Sequence, residues 1–444
     1  MRELLKNLLT TISVCFFSIL LIQNTTVLAE GKSSKNTSET LIEEEDSFDE
    51  VSYGIKFRKE AGLDSSKEKV EKLIREHKIN KDLYVEDFGT VLEKSEHDKL
   101  IKRIEKLDKL LPKVEAEFKS KQKSRYGGLY VNHQEDGAVY IGLKNGSSTE
   151  LNNTKKLLKY ENIKFFNVNY SEEDLMTAKD TLHSVKEKLT KNGVEITSVI
   201  PNIPLNRLDI SVEQLNSETA SIIQKFIGNI PIDLTDNFSQ VVEADRYSGN
   251  EVIQGGLEIR NIDTGDGCTS AFTAYRNTSA GTLYYTLTAG HCATGLYQEF
   301  RHGTLKFGSV ANHYNSSFLD AAAITLAPNR KTHYIFGEYS NSYEITGLKT
   351  SYYVGDFACM VGKTTAKTVC GSIGATSADL DTVRDVVSVN YYSQGGDSGG
   401  PVYNYGKAMG IHNGRYITGG YTLRYFAKIG KILDAFYMDG IVVK

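Results

Sequence analysis

The stretch YSQGGDSGGPVY, residues 392–403, places Ser398 between two pairs of glycines. Fixing a glycine costs more conformational entropy than fixing any other residue, so such a cluster indicates a backbone that bends tightly or lies close to another group. One interpretation is a glycine-rich surface turn. The other is a nucleophilic serine on a tight loop, whose bare backbone amides face the oxygen of a reacting carbonyl.

Ser398 also fits the G-x-S-x-G pattern of the nucleophile elbow in α/β-hydrolases. In that fold the catalytic acid and then the histidine follow the serine along the chain. The one histidine after Ser398 is His412, and it precedes both Asp434 and Asp439. The order of residues therefore excludes the elbow.

Two residues before Ser398 have the right chemistry to act with it. His291 stands beside Cys292 in YTLTAGHCA, and Asp320 begins the apolar run of FLDAAAITL. A serine hydroxyl is a poor nucleophile at neutral pH and needs a neighbouring base to accept its proton. A lone histidine or aspartate in such places is more often structural, as part of a turn or cap.

The elements around these residues are short strands. From about residue 252 to the end, β-branched and tyrosine-rich runs such as TLYYTLTAG, DAAAITLA and DVVSVNYY alternate with Gly, Asn and Ser. Frequent short strands with turn signals predict an all-β barrel or sandwich. A helical pattern is found only in YFAKIGKILDAFY, near the C-terminus.

The order His, Asp, Ser, with a cysteine beside the histidine, resembles the chymotrypsin-like serine proteases. The detail is similar to their secreted bacterial branch, the streptogrisins and α-lytic protease. The segments QGG, GDGCTSAF, TLTAGHC, ACMVGKTTAKTVCG and GGDSGGPVY match the landmarks of that branch in order, over nearly all of residues 252–444. The resemblance implies a chymotrypsin-like all-β double barrel and a serine endopeptidase.

The resemblance also implies a role for each residue of the site. His291 would take the proton of Ser398 and later give it to the leaving amine, and Asp320 would orient the imidazole and stabilise its cation. The amides of Gly396 and Ser398 would bind the oxyanion, which accounts for the glycines, since a side chain would block the approach of the carbonyl. Animal relatives support the aspartate with a serine from the following strand, whereas this chain has Asn413 near that place.

Four of the five cysteines fall within the protease-like region, namely Cys268, Cys292, Cys359 and Cys370. An even number in an exported segment indicates disulfides, and four cysteines permit three pairings, of which nearest-neighbour pairing gives Cys268 with Cys292 and Cys359 with Cys370. The resemblance implies that the first bridge connects the histidine loop to an early strand and that the second closes a short hairpin-like loop. No C-x-x-C or H-E-x-x-H spacing is present, so we expect neither a metal nor a cofactor.

The N-terminus has the pattern of an export signal. Basic residues precede an apolar run from about Leu8 to Ile22, and Ala29 occupies a cleavage-like position. This predicts a signal peptide over residues 1–29, since the run is short for the alternative of a membrane anchor. Residues 30–54 are rich in Ser, Lys and Glu and are predicted to be a flexible leader. We therefore expect a secreted, extracellular protein with no stable membrane association after signal removal.

Residues 55–250 contain no cysteine and alternate helical and extended patterns. One amphipathic helix is predicted from Leu100 to Phe118, with a kink or break at Pro112. A second begins with a capping pattern at Ser171 and stops at Gly193. At 444 residues the chain is long enough for two or three domains.

The segment YGGLYVNHQEDGAVYIGL, read as two strands joined at Asp136 and Gly137, resembles the pro-region of α-lytic-type proteases. A β-barrel of distant strand pairings folds slowly, and an intramolecular partner can speed its folding and block its cleft. We therefore assign residues 55–250 to an α/β pro-region and residues 251–444 to the protease domain. The alternative is a domain that binds cell wall or another protein.

By the resemblance, the pocket for the side chain before the cleaved bond has its walls just before Ser398 and about fourteen residues after it, at Tyr392, Ser393, His412 and Asn413. Trypsin-like relatives have an aspartate where Tyr392 stands, so a preference for Lys or Arg is disfavoured. His412 resembles a histidine of glutamate-specific bacterial relatives, and a substrate carboxylate would raise the pKa of that imidazole. In the alternative, His412 packs beneath the pocket and Tyr392 lines a slot for large apolar side chains.

The leading hypothesis is a secreted serine endopeptidase, made as a precursor with a folding and inhibitory pro-region, that acts on proteins and peptides as a monomer. The maturation cleavage is expected within about residues 240–254, where the sequence is polar. The net charge of −4 and a pI near 6.2 show no basic excess, so nucleic acid is not expected as a partner. The alternative function is an inactive protease-like binding module, which the complete set of three triad residues disfavours.

Overall fold

The computed structural model describes residues 48–80, 84–85, 88–236, 238–239, 252–336, 343–418 and 421–444. Residues 48–444 form one compact unit. The predicted signal peptide, most of the predicted leader and most of the expected maturation window lie outside the described residues. Within the described ranges, no helix combines the length and apolar character needed to span a membrane.

Helices and short sheets make up the part of the chain before residue 240. The helices are α1 Glu50–Ala61, α2 Lys67–Ile79, α3 Lys94–Lys121, α4 Ser148–Leu158, α5 Glu172–Ser184, α6 Lys186–Lys191 and α7 Thr219–Ile227. The strands are β1 Tyr84–Val85, β2 Thr90–Val91, β3 Tyr126–Asn132, β4 Ala138–Leu143, β5 Ile163–Asn167, β6 Ile196–Asn202, β7 Arg207–Val212, β8 Ile232–Thr235 and β9 Phe238–Ser239.

Helix α1 begins inside the segment predicted to be a flexible leader. The carboxylate of Asp49 accepts hydrogen bonds from the amides of Val51 and Ser52, and Gly62 ends the helix in the left-handed conformation at φ 70°. Such a cap stabilises a helix by about 1 kcal/mol. The Phe57 side chain is buried in the main hydrophobic core, which holds the helix in place although its surroundings in sequence are polar.

Helix α3 runs through Pro112 without ending, so the predicted break is wrong. Proline removes one hydrogen bond and crowds the preceding turn. However, Leu107, Leu111 and Val114 lie in one hydrophobic cluster with strands β3 and β4, so packing holds the helix on both sides of the proline. The second predicted helix is divided into α5 and α6, and the predicted capping box at Ser171 is present.

The C-terminal part consists mainly of strands. They are β10 Glu258–Asn261, β11 Gly267–Thr269, β12 Thr273–Thr278, β13 Gly281–Thr288, β14 Glu299–His302, β15 Leu305–Asn315, β16 Asp320–Leu326, β17 Tyr334–Ile335, β18 Tyr343–Glu344, β19 Gly347–Leu348, β20 Phe357–Val361, β21 Thr368–Leu380, β22 Val386–Val389, β23 Pro401–Asn404, β24 Lys407–Thr418, β25 Tyr421–Lys428 and β26 Gly440–Ile441. Helix α8, Ile429–Ala435, follows β25, so the first four residues of the predicted C-terminal helix are strand.

The strands form two antiparallel layers that curve into barrels. The order β20-β23-β24-β25-β22-β21 closes through the pairing of β20 with β21, which makes a six-stranded barrel. The order β11-β10-β14-β15-β16-β13-β12-β26 forms the other sheet, a half-barrel. The predicted chymotrypsin-like double barrel with a mixed helical and sheet region before it is confirmed.

One sheet crosses the predicted boundary at residue 250. Strand β6 pairs with β21, with Val199 opposite Asp379 and Ser198 opposite Leu380. Strands β6, β7 and β8 therefore extend the six-stranded barrel at its β21 edge. The N-terminal region and the barrel share a continuous hydrogen-bonded sheet.

Candidate active site

The site begins with a histidine and an aspartate on paired strands. His291 lies in a short 3-10 turn directly after β13, and Asp320 is the first residue of β16, which pairs with β13. The Nδ1 atom of His291 lies 2.8 Å from Oδ2 of Asp320, and the backbone amide of His291 donates to Oδ1 at 2.8 Å. The carboxylate therefore fixes both the ring and the main chain of the histidine.

Burial and charge act in opposite directions on this pair. Burial opposes the charged imidazole, but the charge and hydrogen bond of Asp320 outweigh it and raise the pKa of His291. Burial likewise opposes the charged carboxylate of Asp320, but His291 and the amides of His291 and Gly290 hold the pKa of Asp320 below its ordinary value. The site favours an ionised aspartate beside a histidine that can gain a proton.

Asn413 on β24 connects this pair with Ser398. Its side-chain amide donates to the backbone carbonyl of Asp320 at 2.6 Å, and the backbone carbonyl oxygen of Asn413 accepts a long hydrogen bond of 3.3 Å from the Ser398 hydroxyl. In the part of the chain that is described, that hydroxyl does not hydrogen-bond the ring of His291. Catalytic hydrogen bonds often tighten only when substrate binds.

Asn413 thus holds the main chain of Asp320, whereas the amides of Gly290 and His291 bind its carboxylate. The sequence pointed to Asn413 as a replacement for a serine that supports the aspartate. It contained no signal for the two backbone amides, because their direction depends on the tight 3-10 turn at residues 290–292.

Two different constraints account for the glycines around Ser398. Gly396 and Gly399 adopt φ of 88° and 89°, which other residues rarely adopt. A Cβ atom on Gly399 would lie 2.2 Å from the carbonyl oxygen of Thr269, so the close approach also excludes a side chain there. The amides of Gly396 and Ser398 donate to no acceptor among the described residues.

Asp397 holds this loop in place, although it was not among the site residues predicted from the sequence. Its Oδ1 accepts from the amides of Thr364 and Thr365, both at 2.9 Å, and its Oδ2 accepts from the amide of Gln394 at 2.8 Å and from the Thr365 hydroxyl. The group is fully buried, and burial raises its pKa in spite of these donors. The available signal was the TT pair of the segment GKTTAKT, which lies more than thirty residues away in sequence.

Two disulfides lie close to these loops. Cys268 pairs with Cys292, beside His291, and Cys359 pairs with Cys370. The Sγ atom of Cys292 is 3.9 Å from the carbonyl oxygen of Ser398. The first bridge thus lies between the histidine turn and the serine loop, and no free thiol remains among the described cysteines.

Of the four residues assigned to the pocket, His412 and Asn413 lie on β24, and Tyr392 and Ser393 lie in the segment before Ser398. His412 is buried, and its Nδ1 is 3.0 Å from the hydroxyl of Tyr391. Burial, together with the positive charge of Arg424, lowers the pKa of His412 to about 3, so the imidazole is neutral at physiological pH. The ring of Tyr392 lies under the guanidinium of Arg424 at 5.8 Å. Arg424 was not among the pocket residues predicted from the sequence.

No family model matches the chain, and no curated protein matches it. Solved structures do. The chymotrypsin of Cellulomonas bogoriensis is 20% identical at a TM-score of 0.36, with 43% of this chain and 99% of that chain covered. Protease A of Thermobifida fusca is 23% identical at a TM-score of 0.36, with 44% and 100% covered. A glutamic-acid-specific serine protease, described as using a histidine triad in substrate binding, is 22% identical at a TM-score of 0.36, with 43% and 100% covered.

Proposed function

We propose that the chain is the precursor of a serine endopeptidase, in which Ser398, His291 and Asp320 are the catalytic residues. The observation that carries this proposal is the buried Asp320 carboxylate, bonded to both the ring and the amide of His291. Asn413 supports the proposal as well, since it contacts both the backbone carbonyl of Asp320 and the hydroxyl of Ser398. A histidine with a purely structural role would need no ionised, buried carboxylate on its Nδ1 atom.

In the proposed reaction, Oγ of Ser398 attacks the carbonyl carbon of the peptide bond and gives its proton to His291. The carbonyl oxygen becomes an oxyanion, which the amides of Gly396 and Ser398 bind. The C–N bond then breaks, and the leaving amine takes the proton from His291. The result is an acyl-enzyme, an ester between the substrate and Ser398.

Water completes the cycle by the same route in reverse. His291 accepts a proton from water as its oxygen attacks the ester, and the proton returns to Ser398 when the ester bond breaks. The products are a carboxylic acid and the restored serine. Asp320 stays ionised throughout and stabilises the imidazolium of each step, in agreement with its lowered pKa.

We further propose that the N-terminal region is a pro-region that assists folding of the barrel. Its contacts with the barrel support this. Besides the pairing of β6 with β21, the buried Lys179 lies 3.0 Å from Asp379 and 3.1 Å from Ser377. A region that satisfies buried groups of the barrel stabilises the native arrangement of distant strands, which otherwise form slowly.

Helix α1 makes a second set of such contacts. The Tyr53 hydroxyl accepts from the amide of Cys370 at 2.6 Å, and the Glu60 carboxylate accepts from Asn390 and Ser372 at 3.0 Å each. Asn390 comes two residues before Tyr392, so the helix holds the wall of the pocket from outside. The predicted signal peptide and the two disulfides support secretion into an oxidising environment.

The test is covalent labelling of the processed, folded protein with a fluorophosphonate. We expect one label, on Ser398, and hydrolysis of casein. Ser398→Ala should abolish both, whereas Ser309→Ala, a matched change on β15 outside the triad, should leave both unchanged. A processed sample with intact disulfides that neither takes the label nor cleaves casein would disprove the proposed function.

A further inference from the structure

Two arginines lie opposite each other on the paired strands β24 and β25. Arg424 on β25 is directly opposite Arg415 on β24, and both are half-buried. Side chains opposite each other on an antiparallel pair point to the same face of the sheet. The guanidinium of Arg424 lies 5.8 Å from the ring centre of Tyr392, so it reaches the pocket wall before Ser398.

Arg424 also shares a face with His412. Phe426 pairs directly with His412, and Arg424 comes two residues before Phe426 on the same strand. Because side chains alternate along a strand, Arg424 and Phe426 point to one side, the side of His412. Tyr392, Ser393, His412, Arg415 and Arg424 together form what we call the acid pocket.

Ser393 provides an independent sign of a ligand. Its side chain is 1% exposed, and its hydroxyl oxygen has no hydrogen-bond partner among the described residues. A buried hydroxyl without a partner costs about 1–3 kcal/mol. A substrate group that accepts a hydrogen bond in the acid pocket would remove this cost, and a carboxylate is a strong acceptor.

His412 is a poor source of positive charge in the acid pocket. It is buried, and its Nδ1 is bonded to Tyr391. The imidazole is affected by the positive charges of Arg424, Arg415 and His291 and by a backbone hydrogen bond with Tyr425. Burial and the charge of Arg424 lower the pKa of His412 to about 3. Arginine, by contrast, keeps its charge at every physiological pH and binds carboxylates with two parallel hydrogen bonds.

We propose that the acid pocket binds the Glu or Asp side chain that precedes the cleaved bond, and that the guanidinium of Arg424 provides the charge that selects it. The inference rests on the proposed peptidase function and names its substrate class. Arg424 is a specificity-determining residue, Ser393 adds a hydrogen bond, and His412 contributes as a neutral, buried wall.

The first test measures kcat/KM on matched peptides with Glu, Gln, Phe or Lys before the cleaved bond. We expect Glu to be the best substrate. Arg424→Gln should reduce the ratio of Glu to Gln roughly 10- to 100-fold, as expected for loss of a charged hydrogen-bond partner. Arg424→Lys should keep most of the preference, because it retains the charge.

Arg301 donates to the backbone carbonyl of Gly303, two residues away, as Arg424 does to that of Thr422. Arg301→Gln is therefore the matched control. It should leave the Glu to Gln ratio unchanged. Labelling of Ser398 by fluorophosphonate shows for each variant that the enzyme is folded. If the labelled enzyme cleaves Phe faster than Glu, the acid pocket is wrong; if it neither labels nor cleaves any peptide, the proposed function itself is wrong.

The second test separates Arg424 from His412 by pH. A free glutamate side chain is ionised above about pH 5, so a pocket charged by arginine should keep a constant Glu to Gln ratio from about pH 6 to pH 8. A pocket charged by His412 would lose its preference over that range as the imidazole loses its proton. A ratio that falls as pH rises would overturn the assignment to Arg424.

The third test uses the full precursor and mass spectrometry. If the precursor cuts itself, the mature N-terminus should follow one of the acidic residues of the expected window, namely Glu243, Asp245 and Glu251, because the acid pocket selects the residue before the cleaved bond. A mature N-terminus that follows an apolar or basic residue, in a precursor that cuts itself, would contradict an acid pocket.

Discussion

Asp320→Asn should lower the rate of the reaction and reverse the direction of the pKa shift of His291. Two effects act on the imidazole, namely burial, which opposes its charged form, and Asp320, which favours it and outweighs burial. Asparagine keeps the size of the side chain but removes its charge. Burial then acts alone, and the pKa of His291 should fall below its ordinary value of 6.5 instead of lying above it.

The expected loss in kcat is about 10⁴-fold, the size known for this change in a Ser-His-Asp triad. In the native site, Nδ1 of His291 lies 2.8 Å from the Asp320 carboxylate. An asparagine amide that donates to Nδ1 forces the ring proton onto Nε2, and a protonated Nε2 cannot accept the proton of the serine. Activity needs a neutral His291, so the acidic limb of the native profile should lie above pH 6.5, and the residual activity of the variant should persist to lower pH.

The assay is the pH dependence of fluorophosphonate labelling, with an NMR titration of His291 in the same samples. Asp381→Asn serves as a matched control, since its carboxylate lies on the surface and is paired with Lys186. A loss of less than about tenfold in rate, or a His291 pKa that stays above 6.5 in the variant, would refute this role of Asp320.

Three further outcomes concern maturation and the contacts of the pro-region. Residues 252–444 expressed alone should yield little active enzyme, and residues 30–250 supplied in trans should raise the yield; equal activity without them would refute assisted folding. Ser398→Ala should leave the precursor uncut, and its processing would show that another protease does the cleavage. In that uncut precursor, Lys179→Met should lower the urea midpoint, because a broken buried pair costs about 3–5 kcal/mol, and Lys186→Met, on an exposed pair, should cost at most about 1 kcal/mol. Equal midpoints for the two variants would contradict the buried contact.

The double barrel could be predicted because its signal is local. Short runs such as TLYYTLTAG, which forms β13, carry both the alternation and the turn residues of a strand within ten residues. The order of His291, Asp320 and Ser398 is equally visible in the sequence, since each follows or begins a recognisable run. Local patterns therefore sufficed for the elements that carry the candidate residues.

Register and long-range packing could not be predicted. Arg424 reaches the acid pocket only because β25 pairs with β24 in a register that contains an irregularity between His412 and Gly414. A shift by one residue would turn Arg424 to the other face. The pairing of β6 with β21 joins residues about 180 apart in sequence. It crosses the boundary at residue 250, which was predicted from the change in composition. Likewise, Pro112 is tolerated because of packing that the sequence does not show.

Asn413→Ala should separate support of the main chain from support of the carboxylate. The Asn413 amide donates to the backbone carbonyl of Asp320 and leaves its carboxylate to His291 and Gly290. Loss of this donor in a buried site should cost about 1–3 kcal/mol of folding free energy, measured by urea unfolding of the uncut Ser398→Ala precursor. The acidic limb of the pH profile should not move, because the charge that sets it is intact. A limb displaced as far as in Asp320→Asn would mean that Asn413 acts on the carboxylate after all.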